Sequence, residues 1–413
     1  MKEFQLKLWV ALILLSMSLF LSIGMAKNAN PHLEIKTGAD RSEQYLPRLK
    51  GKRVGVLVNP TSRTQGQHLV DFLVGKGINV ALIFAPEHGF RGEHGAGEMV
   101  KDNRDSTTGI EIISLHGKTK RPLQKYLEQL DILLFDIQDV GVRYYTYISS
   151  MHYFMQTCAT NNIPLIVLDR PNPNGDYIAG PILDLAFQSF VGMHQIPVVH
   201  GLTVAELAMM IQGEGWLETE NTCELHIVAN KNYHHGMQYS LPVKPSPNLP
   251  NDRSIRLYPS LGFFEATPVS VGRGSELPFQ VLGYPNRNMG DFQFTPGKIR
   301  GSWKELNHAD ELLYGEDLSI KHENDDKVQN LSKMNLSLLV NWHQKFKANG
   351  LELITRPKFL AKLSGSNKLS KWLKMGLDAK QIEKRWHKGL LKYKTLREKY
   401  LIYPDSDYMK GFK

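Results

Sequence analysis

Five short apolar runs recur through the first 170 residues, and each ends in polar side chains. They lie at 52–59, 80–84, 110–115, 131–135 and 164–168. Runs this short and this uniformly apolar suit strands buried on both faces of a parallel sheet. Helical patterns at 69–76, 123–129 and 149–161 alternate with them. Strands and helices in turn imply βαβ units, so the expected class is α/β with a parallel sheet.

The polar residues fall at the same end of each run. Asn59, Glu87, His116, Asp136, Asp139, Asp169, Arg170 and Asn172 all sit at or just past a carboxyl terminus. In a parallel sheet those ends share one rim, and open α/β sheets bind ligands in the crevice beyond it. For one Asp or Asn the rival reading is a helix cap or a turn. Eight such residues on one rim weaken that rival. The stretch 80–98 is the densest. Pro86 stops the strand, and Glu87, His88, Arg91, Glu93, His94 and Glu98 follow, spaced by Gly89, Gly92, Gly95 and Gly97. So many ionisable groups in a glycine-rich loop add little stability. The stretch reads as an active-site loop with Glu87 as its first acid or base.

With 413 residues, 42% hydrophobic and 22% charged, the chain is long enough for two ordinary globular domains. Lys2 and Lys7 precede an apolar run at 8–23 and then Gly24-Met25-Ala26. This is the pattern of a secretory signal peptide cleaved after Ala26. Export to the periplasm or beyond argues against nucleic acid as a partner. Residues 27–46 read as a polar tether. Cys158 and Cys223 make no disulfide framework; they pair, or each is a small buried hydrophobe. Between Lys358 and Lys399, thirteen Lys and Arg face three Asp and Glu. That excess is either the solvated face of helices or a tail for an anionic polymer.

The proline-rich LPVKPSPNLPN at 241–251 marks a boundary. It separates a catalytic domain at 47–245 from an α+β domain at 246–413 that ends in basic helices. Thr203 with Glu206 and Asp378 with Gln381 form capping boxes. His200, just before the first, is placed to line the crevice. Helices are expected at 203–212, 336–349 and 379–400, the last with an apolar stripe of Ile382, Trp386, Leu390 and Tyr393. Arg273, in the glycine loop 269–278, either reaches a ligand carboxylate or is an exposed turn residue.

No GxGxxG, P-loop, GxSxG or metal-ligand spacing appears, so neither a nucleotide cofactor nor a metal is expected. A rim of carboxylates, histidines and arginines suits glycoside hydrolysis, where one carboxyl protonates the leaving oxygen and another attacks or activates water. Tyr144, Tyr145 and Tyr147 either pack on a sugar or belong to the core.

The phrases APEHGFRGEHGAGE, FDIQDVGVRYYTYIS, VLDRPNPNG, PVVHGLTVAELA, PSPNLPN and VGRGSELPFQVLGYP occur in this order. Together they closely resemble the exo-β-N-acetylmuramidase family called NamZ. The resemblance implies a Rossmann-like N-terminal domain, a smaller C-terminal domain and a cleft between them. It implies release of non-reducing terminal N-acetylmuramic acid from peptidoglycan MurNAc-GlcNAc fragments in cell wall recycling. It places the catalytic glutamate at Glu87, whose pKa burial behind Phe84 and Phe90 would raise. For the partner carboxylate Asp139 ranks above Asp136, with Glu93 and Glu98 below both; the sugar's own acetamido group is the alternative nucleophile. Arg143, Arg170 and Arg273 are candidates for the lactyl carboxylate. His88, Arg91, Glu93, Glu98, His116, Tyr145, Asp169, Asn172 and His200 complete the candidate substrate contacts. The rival from another class is a cell-wall glycan-binding protein without turnover.

Overall fold

The strand at Arg53–Val58 is the middle of a seven-stranded sheet. The computed structural model describes residues 34–92, 103–117, 119–297, 306–319 and 333–412. The stretch expected to be a signal peptide, Glu93, His94 and Glu98 lie outside the described residues. In chain order come α1 (Ser42–Leu49), β1 (Arg53–Val58), β2 (Arg63–Thr64), β3 (Gln67–His68), α2 (Leu69–Gly75), β4 (Asn79–Ala85) and β5 (Asn103–Arg104). Next are β6 (Glu111–Ser114), α3 (Gln124–Leu127), β7 (Ile132–Asp136), α4 (Tyr147–Asn161), β8 (Leu165–Leu168), α5 (Val204–Gly213) and β9 (Leu225–Val228).

The spatial order is β5-β6-β4-β1-β7-β8-β9. Only the short β5 runs antiparallel to its neighbour. Counted along the chain, the six parallel strands read 3-2-1-4-5-6, the order of a Rossmann sheet. Both faces are covered, as the apolar runs require. Val54, Val56, Val58, Ile83 and Leu134 pack with Tyr45 and Leu49 of α1 and Phe72 and Leu73 of α2. Leu57, Phe84, Leu133 and Phe135 point the other way, to Phe154 of α4 and Leu207 of α5. The alternation follows from the two-residue period of a strand.

Two expectations need correction. Residues 36–46 are not a tether. Gly38 N–H donates to the Asp169 carbonyl at 2.8 Å, and Tyr45 is fully buried with its hydroxyl on the Ala39 carbonyl at 2.8 Å. A Cβ on Gly38 would stand 2.3 Å from the Val228 carbonyl oxygen, so only glycine lets the segment lie this close to the sheet. Few anchors hold it, which is why its polar composition hid them. The cysteines, secondly, are bonded: Cys158 of α4 is joined to Cys223 ahead of β9, Cα to Cα 5.2 Å.

The second part adds α6 (Asp252–Leu261), β10 (Val281–Tyr284), β11 (Phe292–Phe294), β12 (Leu313–Asp317) and α7 (Ser337–Ala348). After them come α8 (Pro357–Ser364), α9 (Lys368–Lys374), α10 (Ala379–Glu398) and α11 (Asp407–Gly411). The three strands form a small antiparallel sheet in the order β10-β12-β11. Leu261, Phe263, Trp342 and Phe346 share one apolar cluster with the α4 and α5 side of the large sheet. On α10 the stripe Ile382, Trp386, Leu390 and Tyr393 is buried, and most of the lysines face solvent.

Candidate active site

In a Rossmann sheet the ligand crevice opens where the strand order reverses, here between β1 and β7. This chain fills that crevice with its own side chains. Asn59 Oδ1 accepts from Thr61 N–H at 2.9 Å, and Thr61 Oγ1 accepts from Gln138 N–H at 3.0 Å. The Ser62 hydroxyl donates to the Asp136 carbonyl. Arg170 lies across them. Its Nε and Nη2 meet the two Asp136 oxygens at 2.6 and 2.8 Å, and Nη2 also meets the Arg63 carbonyl at 3.0 Å. Asp136 has no exposed surface and Arg170 only 4%. Burial pushes the Asp136 carboxyl up, and the Arg170 charge opposes it. Neither residue reaches a ligand.

The open space lies one strand away, beyond β4. Pro86 ends the strand, and its carbonyl accepts from Gly89 N–H at 3.1 Å, closing a four-residue turn. Glu87 and His88 are its corner residues. His88 holds φ at 73°, a left-handed conformation that favours glycine and costs other residues about 1–3 kcal/mol. The turn leaves Glu87 partly exposed while Pro86 and His88 are buried. Its carbonyl accepts from the Tyr147 hydroxyl at 3.3 Å. Phe84 and Phe90 do not cover Glu87 as expected. Phe84 packs edge-on to Phe154, and Phe90 to His68.

Glu87 and His88 line a cavity of about 430 Å³. His116 stands beside them, past the end of β6. The segment 144–147 adds its tyrosines, whose hydroxyls are spent on backbone: Tyr144 on the Pro259 carbonyl at 2.7 Å and Tyr145 on the Pro245 carbonyl at 2.6 Å. Their rings form an edge-to-face stack, Tyr145 to Tyr147 at 5.0 Å and Tyr144 to Tyr258 at 5.3 Å. The opposite wall carries Arg273, whose guanidinium is paired with the Glu265 carboxylate and stands 5.0 Å from the Phe279 ring. Burial opposes the Arg273 charge, but Glu265, and less strongly Tyr258 and Glu87, raise its pKa overall. Thr146, Ser246, Asn248, Ser270, Asn307 and Arg356 complete the polar lining.

Residues 54–253 match the family model for the N-terminal part of the exo-beta-N-acetylmuramidase NamZ, and residues 256–403 match the model for its C-terminal part. The chain belongs to the NamZ family. A relative in Bacillus subtilis strain 168, the peptidoglycan beta-N-acetylmuramidase NamZ, is 36% identical over 388 residues, 90% of this chain and 92% of its own. Two crystal structures of DUF1343 family proteins from Bacteroides fragilis share the fold. One is 40% identical with a TM-score of 0.82, covering 90% of this chain and 100% of its own. The other is 28% identical with a TM-score of 0.75, covering 89% and 99%.

Both NamZ segments build the cavity: Glu87 to Leu249 come from the first and Tyr258 to Phe359 from the second. Of the sequence candidates, Glu87, His88, His116, Tyr145 and Arg273 meet on its wall. Asp139 lies off the wall, 4% exposed, with Oδ2 held by Gly141 N–H at 2.8 Å and His200 Nε2 standing 3.3 Å away. His200 Nδ1 accepts from Leu202 N–H at 3.2 Å, and Nε2 makes no hydrogen bond among the described residues. Asp139 Oδ1 has no hydrogen-bond partner among the described residues. Burial first, then neighbours that include Asp139 and Glu87, push the Tyr145 hydroxyl well up.

The remaining candidates do structural work. Arg143 is fully buried, and its guanidinium donates to the carbonyls of Pro181, Ile196 and Leu363 at 2.6–2.9 Å. Arg91 clamps Asp71 and Asp105 at 2.8 Å each, fastening the Glu87 loop to α2. Asp169 is buried under Tyr403, whose hydroxyl donates at 2.6 Å, and also accepts from Ala205 N–H at the start of α5. Asn172 ties Leu202 and Asn174 together, and a Cβ on Gly141, at φ 74°, would stand 2.3 Å from its Oδ1. His200 also lies off the wall, fully buried beside Asp139. Sequence reasoning missed Ser246, Asn248, Glu265, Asn307 and Arg356. PSPNLPN carried a signal for the first two but reads as a boundary. Arg356, a lone arginine before a proline, carries none.

Proposed function

We propose that this NamZ-family protein is an exo-acting glycoside hydrolase that frees N-acetylmuramic acid from the non-reducing ends of peptidoglycan MurNAc-GlcNAc fragments. The observation that carries this is Glu87, a partly exposed carboxyl on a left-handed turn, on the wall of a cavity built by both halves of the family. The Bacillus subtilis relative, named a peptidoglycan beta-N-acetylmuramidase, supports the same reading. The cavity volume is in the range of small-ligand sites.

Glu87 acts as the general acid. Its proton goes to the glycosidic oxygen as the C1–O bond breaks; water then supplies the hydroxyl that ends on C1 and returns its proton to Glu87. Asp136 cannot be the partner, since Arg170 holds both its oxygens. Asp139 lies off the cavity wall with its unpartnered Oδ1 buried, so the sugar's own acetamido group is the nucleophile in this reading. The signal-peptide pattern ending at Ala26 and the bonded cysteine pair support an exported enzyme working on the cell wall in an oxidising compartment.

The test is release of sugar from a chromogenic β-N-acetylmuramic acid glycoside, beside the N-acetylglucosamine analogue. The muramic substrate alone should turn over, and Glu87→Gln should lower kcat by at least 100-fold with the fold intact. A Glu87→Gln protein with unreduced turnover would overturn the assignment.

A further inference from the structure

Besides Arg91, four arginines stand at or near the rim, and three are unavailable. Arg143 is fully buried and bonded to three carbonyls, and both oxygens of Asp136 hold Arg170. Arg273 is on the cavity wall but is neutralised by Glu265. Arg356 is different. It lines the same cavity, and its guanidinium bonds only the Glu265 backbone carbonyl. Among the described residues no carboxylate pairs with it.

Its position is fixed by backbone on both sides. Arg356 N–H donates to the Ala266 carbonyl at 3.1 Å, and its own carbonyl accepts from Phe359 and Leu360 N–H at 3.0 Å each. Pro357 follows and restricts its backbone further. The guanidinium stands 5.6 Å from the ring of Phe359, another wall residue. A rigid turn therefore presents an unneutralised planar fork to the cavity, the geometry that takes a carboxylate through two parallel hydrogen bonds. The wall histidines, His88 and His116, offer no such fork.

We infer that Arg356 reads the carboxylate that a muramic sugar carries on its lactyl ether and a glucosamine sugar lacks. The inference rests on the proposed function and names the residue that sets its sugar specificity. The interaction exists before the chemical step, so its loss appears in KM rather than kcat.

The experiment compares the chromogenic β-N-acetylmuramic acid glycoside with its lactyl methyl ester, on wild type, Arg356→Gln and Arg356→Lys. Wild type should prefer the free acid by about 10- to 100-fold in kcat/KM, the weight of a charge-assisted pair. Arg356→Gln should lose that preference, mainly through KM. Arg356→Lys, which keeps the charge without the fork, should retain part of it and guards against a variant that misfolds. Wild type that treats acid and ester alike, or Arg356→Gln that keeps the full preference, overturns the inference while hydrolysis stands. If wild type hydrolyses neither, the functional reading fails and binding decides. Thermal shifts with free N-acetylmuramic acid and its methyl ester should then favour the acid in wild type and not in Arg356→Gln. Equal shifts, or none, overturn it.

Discussion

A guanidinium buried without a carboxylate is held by carbonyl dipoles alone, and Arg143 is held that way. From sequence it resembles a ligand-binding arginine, because it sits in a polar tract at a strand end. In the fold its three carbonyl partners come from segments far apart in the chain, including α8. Burial lowers its pKa; the three acceptors engage Nη1 and Nη2, and Nε has no partner among the described residues. Arg143→Ala would leave those carbonyls unpaired and open a void, at a cost of about 3–5 kcal/mol in urea unfolding. Any loss of activity should track the unfolded fraction. The contrast with Arg356 is one of partners, which no single sequence displays.

At the scale of elements, strands and capped helices were legible and the site was half legible. Apolar runs buried on both faces announce β1, β4, β7 and β8, and the capping boxes at Thr203 and Asp378 form as expected. Glu87 was legible because strand, proline and glycine-rich loop all point to one rim. The strand β9, at the edge of the sheet and only partly buried until Val228, has a pattern too weak to announce itself. Asp136, Asp169 and Arg170 misled because a buried ion network uses the same residue types as a binding site. The far wall was illegible because residues near 265 and 356 reach the cavity only through tertiary packing. The C-terminal segment after α10 is another such case. Ile402 and Tyr403 N–H groups bond Glu206, and the Tyr403 hydroxyl bonds Asp169. Tyr403→Phe should cost about 2 kcal/mol by leaving a buried carboxylate short of a donor, measured as a lower urea midpoint with unchanged m.

For the whole molecule the buried titratable groups set an acid limit. Burial lowers His68 and His152 to about 4 and pushes His194 well down. In the unfolded chain each takes a proton near pH 6.5. Between 6.5 and 4 the unfolded state therefore holds more protons, and stability falls as pH drops. Asp169, raised to about 7 by burial, runs the other way, since the folded state holds its proton first. Burial also raises Asp136 and Glu383 and lowers His343, so four histidines stand against three carboxyls and leave a net loss. The Tm should fall by several degrees between pH 7 and pH 5, and a flat or rising Tm would contradict this.

The bond between Cys158 and Cys223 makes a covalent ring of the chain between them. That ring holds β8, the polar tract after it and α5, the side of the sheet away from Glu87. A protease that nicks a surface loop there would still leave one molecule, its ends tied through sulfur. The far side of the sheet is thus insured against a single cleavage, and the loop that carries Glu87 is not.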